Sequence, residues 1–166
     1  MLSETYKSGL LSLKIDEIRK KLAAAVRSFE EDGDIYLLQE DLNERTISHR
    51  FAIHLQRAFE PFHVDCEYNR SHGYPKRLRI PNGPVSWEDT EAKTVFPDII
   101  VHERGEGQNI LVVEMKKIGR DVSFDKKKLR AYCVDHAYQE AALLVVRTGT
   151  ENPGFEAPCY YNKNEV

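Results

Sequence analysis

Six consecutive apolar residues at positions 141–146 constrain the fold more than any other feature of this chain. A short run of this kind is typical of a strand that is buried on both faces of a sheet. The segment before it, from residue 121 or 123 to 136, has the apolar spacing of a helix. A helix that leads directly into a buried strand predicts a parallel crossover connection. The chain is therefore expected to be an α/β protein.

The other periodic segments predict helices on the faces of one mixed sheet. We predict helices at 12–31, 43–59 and 121–136, strands at 62–68, 95–102, 109–117 and 141–146, and a long irregular loop at 70–94 that contains a short strand at 77–80. The segment 35–38 fits either a turn of helix or a short strand. This order of elements is typical of an α/β sandwich, and 166 residues are enough for one domain.

Composition excludes several classes of protein. A hydrophobic content of 41% and the lack of any long apolar run are typical of a soluble chain without a membrane span. The three cysteines have no paired spacing, which argues against a disulfide scaffold or a cysteine zinc site and favours a reducing, cytoplasmic location. The sequence contains no HExxH, GxSxG, P-loop or GxGxxG motif. A net charge of −3 means that any surface for nucleic acid must be a local one.

The two strands on either side of the turn at 105–107 carry acidic residues at positions that pair with each other. In an antiparallel hairpin the residue numbers of each pair have a constant sum, and centring the pair on Glu106 makes this sum 212. The predicted pairs are Asp98 with Glu114, Ile100 with Val112, and His102 with Ile110. Because side chains alternate along a strand, Lys116 lies on the same face as these two carboxylates.

Two carboxylates in such a pair repel each other unless something neutralises them. At the roughly 5 Å between paired Cβ atoms, two negative charges cost about 3 kcal/mol at an effective dielectric constant of 20. A Mg²⁺ or Mn²⁺ ion held by Asp98 and Glu114 would remove this cost, and Lys116 could then reach a water or a phosphate oxygen. Glu44 points along the apolar face of its helix and could complete the site. The alternative is a structural salt-bridge ladder of Asp98, Glu114 and Lys116.

Pro97-Asp98 and Glu114-Met115-Lys116 resemble the motif of the PD-(D/E)XK phosphodiesterase superfamily. The resemblance covers about residues 43–147 and implies a restriction-endonuclease-like three-layer sandwich, a mixed sheet flanked by helices, with a Mg²⁺-dependent nuclease activity. It also implies metal binding by Asp98, Glu114 and Glu44, and a catalytic role for Lys116 in positioning the attacking water. The alternative function is a catalytically silent nucleic-acid-binding or assembly module that keeps the fold.

Positive charge is concentrated in two segments beside these acidic residues. The segment 116–130 has seven basic residues against two acidic ones, and the loop 70–79 has four basic residues and no acidic one. The predicted contacts to nucleic acid, with DNA favoured over RNA, are Arg70, Lys76, Arg77 and Arg79 in this loop, and the resemblance adds Lys128 and Tyr132 on the helix after Lys116. The alternative for the run of lysines at 126–128 is a solvated helix face. A nuclease domain of this size often needs a second copy to cut two strands, which leaves a homodimer open.

Overall fold

A computed structural model describes residues 13–68, 70–71, 74–75, 77–78, 93–94, 96–105 and 108–164. The helices are α1 (Ile15–Glu31), α2 (Ile35–Gln39), α3 (Glu44–Phe59) and α4 (Ser123–Asp135). The strands are β1 (His63–Cys66), β2 (Arg70–Ser71), β3 (Tyr74–Pro75), β4 (Arg77–Leu78), β5 (Lys93–Thr94), β6 (Ile99–His102), β7 (Asn109–Lys117), β8 (Glu140–Arg147), β9 (Gly154–Phe155) and β10 (Cys159–Tyr161). In this part of the chain no helix is both long enough and apolar enough to span a membrane.

Six of these strands form one open, mixed sheet. Its order is β1-β6-β7-β8-β10, and β9 pairs with β8 beside this path. The β7–β8 pair is parallel and the other pairs are antiparallel. The predicted crossover from β7 through α4 to β8 is therefore confirmed. The α/β class of the fold is confirmed with it.

Side chains alternate between the two faces of the sheet along the central strands, which divides the core into two layers. Val113 and Met115 of β7 pack with α1 and α3, whereas Val112 packs with Leu129 and its neighbours on α4. Glu114 has the same parity as Val112 and so lies on the α4 side of the sheet. Its salt bridge to a lysine of α4 agrees with this side.

The helices form where the sequence provides caps and apolar stripes. Asn43 caps α3 by accepting a hydrogen bond from the N–H of Thr46 at 2.9 Å. The buried residues of α1 recur at spacings of four, three and four, which presents one face to the core: Ile18, Leu22, Ala25 and Phe29. The Asn43 cap fixes the first turn of α3, where Glu44 lies.

Several predicted boundaries differ from the observed ones. The segment 35–38 belongs to helix α2, and α1 begins at Ile15. Strand β1 ends at Cys66 and β6 begins only at Ile99, because Asp98 forms a bend immediately before the strand. Of the short strand predicted at 77–80, Arg77–Leu78 is a strand, and residues 79 and 80 lie outside the described part of the chain.

The predicted register of the hairpin is confirmed over its central part. Ile99 pairs with Val113, Ile100 with Val112, and Val101 with Leu111, so the sum is 212 in each pair. The ladder begins at Ile99, so the predicted pair of Asp98 with Glu114 is not part of it. The prediction also fails at His102, which pairs with Asn109 and not with Ile110. The register shifts between Val101 and His102, since a bulge adds one residue to the β7 side of the ladder.

Candidate carboxylate and lysine site

The Asp98 and Glu114 carboxylates lie at the end of the hairpin away from the turn. Asp98 accepts a hydrogen bond from the N–H of Met115 at 2.8 Å, so its side chain is held beside the residue that follows Glu114. Glu114 lies near the middle of β7, and only 1% of its surface is exposed. Glu114 therefore forms the buried floor of the candidate site, and the partly buried Asp98 lies beside it at the edge of a cleft.

The surroundings of both acids favour their neutral forms. Burial raises the pKa of Glu114 to about 8, and the negative charge of Asp98 adds to this rise. Burial also raises the pKa of Asp98, although the hydrogen bond from Met115 and the positive charges of nearby lysines oppose it. The fold thus holds two acids where ionisation is costly, which is common at functional sites and also occurs in structural ion-pair networks.

Helix α4 contributes a lysine and a third buried acid to this floor. The Lys128 Nζ atom lies 2.7 Å from Glu114 Oε2 and 3.1 Å from Asp125 Oδ1. Burial lowers the pKa of Lys128, but the two carboxylates outweigh this effect and the net pKa is raised. The sequence analysis did not identify Asp125. Its spacing of three residues before Lys128 places both on one face of α4 and is the signal that could have revealed it.

Lys116 joins this cluster to the first turn of α3. Its Nζ atom lies 3.5 Å from Glu44 Oε2 and 3.8 Å from Asp125 Oδ2. The other oxygen of Glu44 accepts a hydrogen bond from the Lys117 N–H at 3.0 Å, which ties α3 to the end of β7. Glu44 thus faces the sheet, as its position on the helix predicts. Both Lys116 and Glu44 keep about a third of their side chains exposed, so they form the rim of the site.

The chemistry of the acidic side chains suits a hard divalent cation. Glu114 Oε1 is buried and makes no hydrogen bond, so an acceptor atom in the floor still needs a partner. Carboxylate oxygens are the ligands that Mg²⁺ and Mn²⁺ prefer. In the described residues, however, no three His, Cys, Asp or Glu side chains are grouped in an arrangement that could hold a metal ion. The Lys128 ammonium contacts the second oxygen of Glu114 and would have to move for a cation to bind there.

Two clefts open beside Glu44. The first has a volume of about 520 Å³, and its lining is Glu44, Arg45, Thr46, Ser48, His49, Cys66, Glu67 and Asp98. The second, which we call the basic cleft, has a volume of about 470 Å³ and is lined by Asn43, Glu44, Lys116, Lys117, Arg120 and Asp121. Glu44 borders both clefts, so a chain-like ligand that passes Glu44 could occupy the two together.

Two of the six predicted contacts to nucleic acid have little or no exposed surface. Tyr132 has 0% of its surface exposed and packs between α4 and the sheet, so it cannot touch a ligand at the surface. The Lys128 side chain is only 12% exposed and its ammonium is bonded to two carboxylates, so it belongs to the floor of the site. The other four predicted contacts have side chains outside the described residues: Arg70, Lys76, Arg77 and Arg79.

Comparisons of the chain with protein-family models, with curated proteins and with solved structures find no match.

Proposed function

We propose that this protein is a metal-dependent nuclease with a restriction-endonuclease-like fold of the PD-(D/E)XK type. One observation carries the proposal. Asp98 bonds to the backbone of Met115, which places it beside Glu114 and Lys116 at the end of the hairpin. An acid before one strand and an acid and a lysine on the next resemble the arrangement of the PD-(D/E)XK superfamily, and a divalent cation held there could assist phosphodiester hydrolysis.

Each of these side chains has a position that fits one task. Asp98 and Glu114 would hold the cation as a pair of carboxylates, and Glu44 at the rim would assist through a bound water. When bound, Mg²⁺ or Mn²⁺ would supply a Lewis acid for the phosphoryl oxygen and lower the pKa of a bound water. Lys116 is partly exposed at the basic cleft, where its ammonium can donate hydrogen bonds to a phosphate oxygen or an attacking water.

Lys116 and Lys128 have different surroundings although both are lysines of the site. Lys128 is bonded to Glu114 at 2.7 Å and is largely buried, so it balances the charge of the floor. Lys116 contacts its carboxylates only at 3.5 and 3.8 Å and is more exposed. We therefore assign the positioning of the water to Lys116 and the neutralisation of the cation-free site to Lys128.

A cleavage assay tests the proposal. We expect the wild-type chain to cut single-stranded or duplex DNA or RNA when Mg²⁺ or Mn²⁺ is added, and not in EDTA. Lys116→Ala should reduce the rate at least about a hundredfold, since removing one preorganised donor to a transition state costs about 10²–10³ in rate. The matched control is Lys127→Ala, an exposed lysine on α4, which should cut at the wild-type rate.

The second candidate function is a nucleic-acid-binding or assembly module without catalysis. The observation that favours it is the Lys128 ammonium, which satisfies one oxygen of Glu114 without any metal. If the chain binds nucleic acid in the cleavage assay but cuts none with either cation, the binding module is the better description. Cleavage that survives Lys116→Ala unchanged would contradict the role assigned to this lysine.

A further inference from the structure

Phe124 is an exposed aromatic residue at the edge of the carboxylate site. It lies in the first turn of α4, one residue before the buried Asp125, and 47% of its surface is exposed. Its ring centroid lies 5.7 Å from the Lys128 Nζ atom, and the same Nζ is bonded to Glu114. The ring therefore contacts the site through Lys128, while about half of the surface of Phe124 stays open to a ligand.

Phe124 closely follows two residues of the basic cleft in the sequence. Arg120 and Asp121 line the cleft, and Asp121 Oδ1 accepts hydrogen bonds from the backbone and side chain of Ser123, the residue before Phe124. Asp121 is therefore engaged in the turn that begins α4. Among the cations of the cleft, Lys117 is held by Asp41 at 2.8 Å, whereas the Arg120 side chain is exposed.

A basic groove next to an exposed aromatic ring is the combination that binds single-stranded nucleic acid. The cations bind the phosphate backbone, and the ring stacks on an unpaired base. A base inside a duplex is already stacked on its neighbours and offers no face to the ring. An isolated exposed apolar residue would need no explanation, but this ring follows Asp121 of the basic cleft by three residues and lies 5.7 Å from the lysine that is bonded to Glu114.

We propose that Phe124 and the basic cleft form a subsite for single-stranded nucleic acid, with a base stacked on Phe124 and the adjacent phosphate bound by Arg120. The inference rests on the proposed function, because it states which form of nucleic acid reaches the carboxylates. It makes Phe124 a residue that determines specificity and takes no part in the chemical step.

Fluorescence anisotropy in EDTA tests this subsite without cleavage. The probes are a labelled oligothymidylate and the duplex that it forms with oligoadenylate. Phe124→Ala should weaken binding of the single strand at least about fivefold, and Phe124→Trp should restore it to within about twofold of wild type, because stacking contributes roughly 1–3 kcal/mol per base. Arg120→Gln should also weaken it. The matched control is Val134→Ala, an exposed apolar residue on the same helix, which should leave binding unchanged.

The outcomes separate this inference from the proposed function. Single-strand affinity that is insensitive to Phe124→Ala, or a duplex affinity that falls by the same factor, would overturn the subsite even if the chain cleaves with Mg²⁺. A wild-type chain that binds neither probe would overturn it too. Binding that depends on Phe124 in a chain that never cleaves would support the subsite and reject the nuclease. Circular dichroism of each variant shows that the fold is kept.

Discussion

Replacing Glu114 by glutamine should make the free energy of unfolding of the metal-free protein less dependent on pH. Burial raises the pKa of Glu114 in the folded protein to about 8, from an ordinary value of 4.5. Between these two pH values the folded state holds a proton that the unfolded state has released. The stability that this group contributes is therefore complete below about pH 4.5 and is lost as the pH rises towards 8.

The expected size of this effect follows from the two pKa values. A pKa shift of one unit is worth about 1.4 kcal/mol, and the free energy of unfolding changes less steeply with pH as the pH nears 8. The wild-type protein should therefore lose about 2 kcal/mol of stability through this group between pH 6 and pH 8. Glutamine has the same shape and does not titrate. Urea unfolding in EDTA at both pH values should thus show Glu114→Gln gaining about 2 kcal/mol relative to wild type.

A matched control separates burial from a general effect of charge. Glu151→Gln removes an exposed glutamate and should leave the pH dependence of the wild-type protein unchanged. If wild type and Glu114→Gln lose stability equally between pH 6 and pH 8, folding does not change the protonation of Glu114 in this range, and our description of the buried floor is wrong.

Three further substitutions can each be tested by a direct measurement. Lys128→Gln removes the ammonium beside Glu114, so calorimetry should show Mn²⁺ binding roughly tenfold tighter, about 1.4 kcal/mol. Unchanged or weaker binding would show that the lysine does not compete with the cation. Tyr132→Phe removes a buried hydroxyl that makes no hydrogen bond, so urea unfolding should show equal or greater stability, and a loss above about 1 kcal/mol would reveal a hidden partner. Asn43→Ala removes the cap of α3 and should cost about 1 kcal/mol in the same experiment, with no loss if the cap is unimportant.

The fold could be predicted to the extent that it follows from local spacing. The apolar run at 141–146 and the helix before it were enough to predict the parallel β7–β8 pair. The register near Ile100 followed from the arithmetic of a symmetric hairpin. The bulge at His102 could not be predicted in this way, because a single unpaired residue changes no apolar pattern that the sequence shows.

The site was harder to predict because its parts come from four places in the fold: α3, the bend before β6, β7 and α4. Lys126, Lys127 and Lys128 form a uniform basic run, and only the rotation of α4 against the sheet decides which of them is buried. Asp125 in a first turn has the ordinary appearance of an acid that favours a helix N-terminus. Its burial next to Lys128 depends on how α4 packs on β7 and β8, which no single segment encodes.

Crystals grown with Mn²⁺ would test the central claim most directly through anomalous scattering. We predict a peak between the Asp98 and Glu114 carboxylates, at about 2.1 Å from their oxygens, with the Lys128 ammonium moved away from Glu114. Saturating Mn²⁺ with no peak there, and with Lys128 still bonded to Glu114, would contradict it.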